Sequence, residues 1–269
     1  VLGPADGRYV LRPHAGEDAS HVVVLTTLGA PQRRWLGRGR RPRPVDPGPA
    51  VEPVAVTRAT VIQADPLPTD AAASTWLRGI DGDAEAVAAL AVLNRVIDAH
   101  RLAADDPGAR DVTRSAALTV RVGYGAGEEV AEGRHTAAVE LPAPRAERRA
   151  AALRSQERLS ALLSGRDAVL AAERLAQRAR ADLTGGRSRE AALTLRVALE
   201  AALAELIPWR ERADIGGRLD ELAATRADVA AVANRALQGG LDADEEATVD
   251  RVLGRLEAAL RARAAAGFD

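Results

Sequence analysis

Four histidines, His14, His21, His100 and His135, are the first side chains to weigh for metal or proton chemistry, and they are scattered. No two stand at a zinc-binding spacing such as H-E-x-x-H. His100 follows Asp98 by only two residues, which on a helix sends the two in different directions. The chain has no Cys, so thiolate–zinc sites, thiol nucleophiles and disulfides are excluded. It has no Lys, which removes Schiff-base chemistry and the Walker A phosphate loop. None of the seven serines stands in a G-x-S-x-G elbow. Asp242, Asp244, Glu245 and Glu246 concentrate acid where a helix begins, and the helix N-terminus accounts for them. A calcium loop would need Gly where Ala247 stands. These residues point to no catalytic group, no metal and no cofactor.

Two segments could meet an anion. Gly123-Tyr124-Gly125-Ala126-Gly127 follows a predicted strand, as a phosphate-binding loop would. The third glycine of the dinucleotide pattern falls on Glu128, and Glu129 and Glu132 would repel a pyrophosphate. A hairpin turn is the expected reading. The second segment carries Arg33, Arg34, Trp35, Arg38, Arg40, Arg41 and Arg43 among glycines and prolines. It resembles the Arg-Gly-Arg-Pro core of minor-groove AT-hooks, interrupted here by Arg41. The resemblance implies nucleic-acid contact, with six guanidiniums for phosphates and one indole for stacking. The alternatives are a solvated loop, since any basic loop looks this way when all basic residues are Arg, or contact with an acidic partner or a lipid head group.

Composition sets the wider limits. The 269 residues carry 47 % hydrophobic and 28 % charged side chains, which excludes disorder throughout. Aromatics are only 2 %, so the core must be built from Leu, Val, Ala and a little Ile. The wealth of Ala, Arg, Gly and Pro, with no Lys, fits a GC-rich bacterial genome. Net charge is −1, and neither half is strongly charged, so a general affinity for nucleic acid or acidic membrane is not expected. The first residues show no signal peptide, and the longest apolar runs, Val22–Leu28 and Ala88–Leu93, are far short of a span. The expectation is a cytoplasmic protein with no membrane contact.

The elements that would position any site divide into two kinds. Strands are predicted at Tyr9–Leu11, His21–Leu28, Val54–Gln63, Ala116–Tyr124 and His135–Leu141, where β-branched residues run or alternate. Residues 33–49 form an Arg/Pro-rich loop. Two helices lie between: one capped by Thr69 or Asp70 through Arg78, the other from Asp83 to about Leu102, with Val87, Leu90, Asn94 and Ile97 as its stripe. Gly125 to Glu132 reads as turn. From Pro144 onward strand signals stop. Helices are expected at about 145–163, ended by Ser164-Gly165; 167–183, capped by Asp167; 188–206, stopped by Pro208, where Trp209 can cover the bundle end; 219–237; and 242–265, with Asp242 and Glu245 at capping-box spacing. The fold class is therefore α+β: a mixed domain over 1–142, with an antiparallel sheet of four or five strands and two helices, then a helical bundle of about five helices over 143–269.

The helix pair around Gly186, about residues 175–203, resembles a tetratricopeptide repeat. Ala179 matches the small residue of the first helix, Gly186 the turn, and Ala191, Leu195 and Ala198 the packing positions of the second helix, with Leu199 following on the same face. The physical basis is that two closely crossing helices need small residues at their contact. The departures are Asp182 at the family's aromatic position, Arg178 at a Leu position, and no second copy at the expected spacing. The resemblance implies a module that binds protein or peptide, with these residues as a helix-packing or partner face.

The function expected is thus a non-enzymatic protein-interaction or scaffold protein using its helical half, with another protein or a second copy of itself as partner. The alternatives are a nucleic-acid-associated protein acting through 33–43, or an enzyme with a polar site between the halves.

Overall fold

The computed structural model describes residues 2–29, 54–142, 149–212 and 215–266, with side chains from residue 155 onward in the helix that begins at Arg149. The chain divides into two compact units, Val1–Pro144 and Arg145–Asp269. The fold is mixed α+β, with its strands in the first unit and helices filling the second.

In the first unit, β1 (Gly7–Leu11), β2 (His21–Leu28) and β3 (Val56–Gln63) form an antiparallel sheet with β2 in the middle. The register sets Tyr9 opposite Val23 and Val23 opposite Val61. Side chains alternate across a strand, so Leu11, Val23 and Leu25 fall on one face, which helix α2 (Gly82–Ala103) covers with Leu93, Val96 and Ile97. The stripe of α2 differs from the expected one. Val87 is 67 % exposed, and Ala86, Leu93 and Val96 take the buried places alongside Ile97. Asn94 sits half-buried because its amide pins the loop after the helix. It donates to the Val112 carbonyl at 3.0 Å and accepts from the Val112 N–H at 2.7 Å. Helix α1 (Asp70–Gly79) starts as expected, with the Thr69 hydroxyl accepting from the Ala72 N–H.

The expected single sheet is two sheets. β4 (Val120–Tyr124) and β5 (Ala137–Leu141) form a separate two-stranded ribbon. The predicted strand from Ala116 is shortened because Arg114–Ala116 forms a 3-10 turn and Leu118 projects into solvent. The connection between β4 and β5, expected as a turn, includes a short helix, α3 (Gly127–Ala131). It packs on β3, and Glu128 takes a bidentate bond from Arg8 of β1. Gly123 and Gly125 serve close packing: a Cβ on Gly123 would lie 2.5 Å from the Ala137 carbonyl, and one on Gly125 3.0 Å from Val130. Gly127, with φ +34° and open space around it, serves the turn into α3.

Among its described residues the second unit is built of helices: α4 (Arg149–Leu163), α5 (Ala171–Thr184), α6 (Ser188–Glu205), α7 (Ile215–Ala224), α8 (Arg226–Gln238) and α9 (Ala243–Ala265). α6 is central and touches α5, α7, α8 and α9. The helix expected at 219–237 is two. The break falls at Thr225, whose hydroxyl donates to the Leu222 carbonyl at 2.7 Å in place of a continuing helical bond. The core is Leu, Val, Ile and Ala throughout, including Leu195, Leu199, Leu219, Leu222, Leu253 and Leu256.

Candidate functional site

The α5–α6 hairpin is built by its turn. Gly186 has φ +73°, the left-handed position that ends a helix at low cost only with glycine. Its N–H donates to the Leu183 carbonyl at 3.1 Å, and the Arg187 N–H to the Asp182 carbonyl at 2.8 Å, which completes a Schellman cap. The Asp182 carboxylate then accepts from Arg187 Nε at 2.9 Å. Asp182, itself buried, thus holds the turn through both its backbone carbonyl and its side chain.

Beyond the turn, Ala179 of α5 meets a face of α6 made by Ala191, Leu195, Ala198 and Leu199. All five are buried to 1 % exposure or less. Side chains so enclosed belong to the core of the helical unit. Small residues let the two helices approach closely enough for the branched side chains on either side to interdigitate.

A second arrangement, which the sequence reading missed, joins four charged residues. Asp167, expected as a helix cap, is not one: α5 starts at Ala171, and Leu170 precedes it. The Asp167 side chain is instead fully buried between two guanidiniums. Arg158 of α4 donates through Nε at 3.2 Å, and Arg263 of α9 brings Nη2 to within 2.6 Å. Arg158 also bonds Glu173 of α5, whose other oxygen accepts from the Leu170 N–H at 3.2 Å. Arg263, with its side chain 5 % exposed, lies over the ring of Trp209, 4.8 Å from the centroid. Trp209 packs at the edge of the helical core, and its ring face meets the cation.

The electrostatics of this cluster are balanced: two guanidiniums, two carboxylates. Burial pushes the Asp167 carboxyl up, but Arg263 and Arg158 outweigh it and hold the group below the usual carboxylate range. Arg158 is held above its ordinary value: burial works against the charged form, and Glu173 and Asp167 more than offset it. Asp167 and Arg158 are therefore each favoured in their charged forms. The cluster joins α4, α5 and α9 and acts as a clamp. A signal for it exists in the sequence. Val249, Val252, Leu256 and Leu260 mark the buried seam of α9, and Arg263 continues that seam where an apolar residue is expected.

A second tie joins α5 to α9. Arg180 donates to Glu257 at 2.8 and 3.1 Å and to Asp250 at 2.6 Å, and these acids raise its pKa. The acids at 242–246 cap α9 as expected: Asp242 accepts from the Glu245 N–H at 2.8 Å, and Glu245 returns the bond at 2.9 Å.

The other candidate residues stay apart. His14 lies beside Glu17 at 3.2 Å and His21 beside Ser20 at 3.2 Å. Among the described residues no group of three His, Asp or Glu could hold a metal ion. Arg33, Arg34, Trp35, Arg38, Arg40, Arg41 and Arg43 lie outside the described residues. No helix among the described residues is long and apolar enough to cross a membrane.

Leu159 and Leu163 lie one turn apart on α4, 51 % and 80 % exposed, and the only buried side chain described on that helix is Ala161. No family model, curated protein or solved structure matches this chain.

Proposed function

We propose that this is a protein-interaction or scaffold protein that holds a polypeptide partner on the outside of its helical half. The observation that carries the reading is the Leu159–Leu163 pair. Two large apolar side chains at i, i+4 spacing present the anchor pattern by which amphipathic helices bind grooves. Each such side chain contributes about 2 kcal/mol when it leaves water. The clamp at Asp167 supports the same reading, because it fixes the end of α4 that carries the pair. The buried hairpin then serves as a rigid base, and the tetratricopeptide-like pattern of Ala179, Gly186 and Ala191 belongs to that base.

The test uses the full chain and its Leu159→Ser/Leu163→Ser variant. Light scattering after size exclusion reports self-association, and affinity capture followed by mass spectrometry reports other partners. The reading expects an assembly, of either kind, that the variant loses while its circular dichroism is unchanged. A wild-type monomer that captures nothing the variant fails to capture would overturn it.

A further inference from the structure

The first unit contains a groove of about 390 Å³ at one end of the β4–β5 ribbon. One wall is Arg114, Leu118 and Thr119, on the approach to β4; the other is Glu140, Leu141 and Pro142, where β5 ends. Arg114 is held in place by backbone carbonyls: Nη2 donates to Pro142 at 2.8 Å and to Leu141 at 3.4 Å. Its Nε is buried without a partner. No carboxylate pairs with it among the described residues. Glu140, the acid in the groove wall, is already committed to Arg121, which donates to it through Nε at 3.1 Å and Nη2 at 2.9 Å. Among the described residues the groove is therefore left with one fixed positive charge that no carboxylate answers.

Beside that charge the groove also exposes hydrocarbon. Leu118 is 84 % exposed, a large side chain standing at the mouth of the groove. Leu141 and Pro142 line the opposite side, and Thr119 adds a hydroxyl. A guanidinium with an unanswered charge beside exposed hydrocarbon selects for an anion that carries hydrocarbon. Charge magnitude narrows the class. A single cation balances a monoanion and leaves half the charge of a phosphate dianion unanswered.

We propose that this groove binds an aliphatic carboxylate, with the carboxylate on Arg114 and the hydrocarbon between Leu118 and Leu141. Such a group is carried by a short free acid or by a glutamate side chain flanked by apolar residues in a peptide. The site stands independently of the helical surface, since every residue in it belongs to the first unit.

The test is a heteronuclear NMR titration of the full chain at constant pH and ionic strength with three probes: butyrate, butyramide and N-acetyl-valyl-glutamyl-valinamide. Saturable shifts confined to residues 114–120 and 140–142 are expected with at least one of the two carboxylates. Saturation by the peptide alone assigns a peptide site, and saturation by butyrate assigns a small-acid site. Butyramide, of the same shape without charge, is expected to bind about tenfold more weakly, the usual worth of a charge-assisted bond. Arg114→Gln is expected to abolish the carboxylate response. Because Arg114 also holds two carbonyls of the ribbon, Leu118→Ser at an exposed position is the second variant, expected to weaken binding several-fold with the spectrum otherwise intact. The proposal is overturned if neither carboxylate saturates the site, if butyramide matches butyrate, or if Leu118→Ser binds like the wild type.

Discussion

Arg263 Nη2 lies 2.6 Å from Asp167 Oδ1, and the two side chains, far apart in sequence, are both withdrawn from solvent. Their contact ties the last turn of α9 to the loop between α4 and α5, and Arg158 extends it to α4. A buried ion pair adds little over a well-packed apolar pair, but breaking one leaves an uncompensated charge in a dry place. The pair is therefore best understood by what its loss would do.

Asp167→Asn keeps the shape and removes the charge. Arg263 would then lose its carboxylate, and Arg158 would keep only Glu173. The helical unit is expected to lose about 3–5 kcal/mol of stability. Urea unfolding followed by far-ultraviolet circular dichroism measures it, and a loss under about 1 kcal/mol would show that the cluster is not a clamp.

The same carboxylate sets a pH dependence. Its folded pKa lies below the unfolded value of about 3.9, so its contribution is complete above that value. It is lost as pH falls through the lowered folded value, when the carboxylate takes a proton. Urea midpoints from pH 7 to pH 2.5 should fall more steeply below about pH 4 in the wild type than in Asp167→Asn. Parallel curves would remove Asp167 from the account.

Gly186 has φ +73° and open space around its Cα, so only backbone strain opposes a side chain there. Gly186→Ala is expected to cost about 1 kcal/mol, and Gly186→Asn less, because Asn tolerates the left-handed region. Equal stability of all three forms would mean that the α5–α6 turn relaxes freely.

Glu205, at the end of α6, accepts from the Ala171 and Ala172 N–H groups at 3.1 and 3.0 Å and so caps the start of α5. Glu205→Ala is expected to cost about 1–2 kcal/mol, with loss of amide-exchange protection concentrated in the first turn of α5. Uniform loss across the unit would argue against a cap.

Helix ends were legible in the sequence wherever the cap is local. Thr69, Asp242 with Glu245, Ser164-Gly165 and Gly186 all act within a few residues of themselves, and each acts in the structure as its residue type implies. The strand His21–Leu28 and the apolar face of α6 were legible for a related reason: burial repeats with the period of the element. The errors share the opposite cause. Asp167 looked like a cap because Asp before a helix commonly is one, and its partners stand in α4 and α9. Thr225 interrupts a run that reads as continuous helix, because a hydroxyl can bond the backbone of its own turn. Leu118 read as strand from its alternation with Val120, while the chain at Arg114–Ala116 is shaped by carbonyls from the far end of β5.

By itself the sequence determined the class of the fold, the starts and stops of most helices, and which stripe of α6 would be buried. These follow from backbone chemistry and periodicity acting over a few residues. The tertiary structure alone decided that the strands of the described residues form two sheets, that Ala179 and Leu195 are buried in one core, that Asp167 joins three helices, and that Arg114 stands beside a groove with no carboxylate paired to it among the described residues. Each of these depends on distances between residues far apart in the chain. A single sequence records residue types, but it does not record which distant charge or hydrocarbon a side chain will meet once the chain has closed on itself.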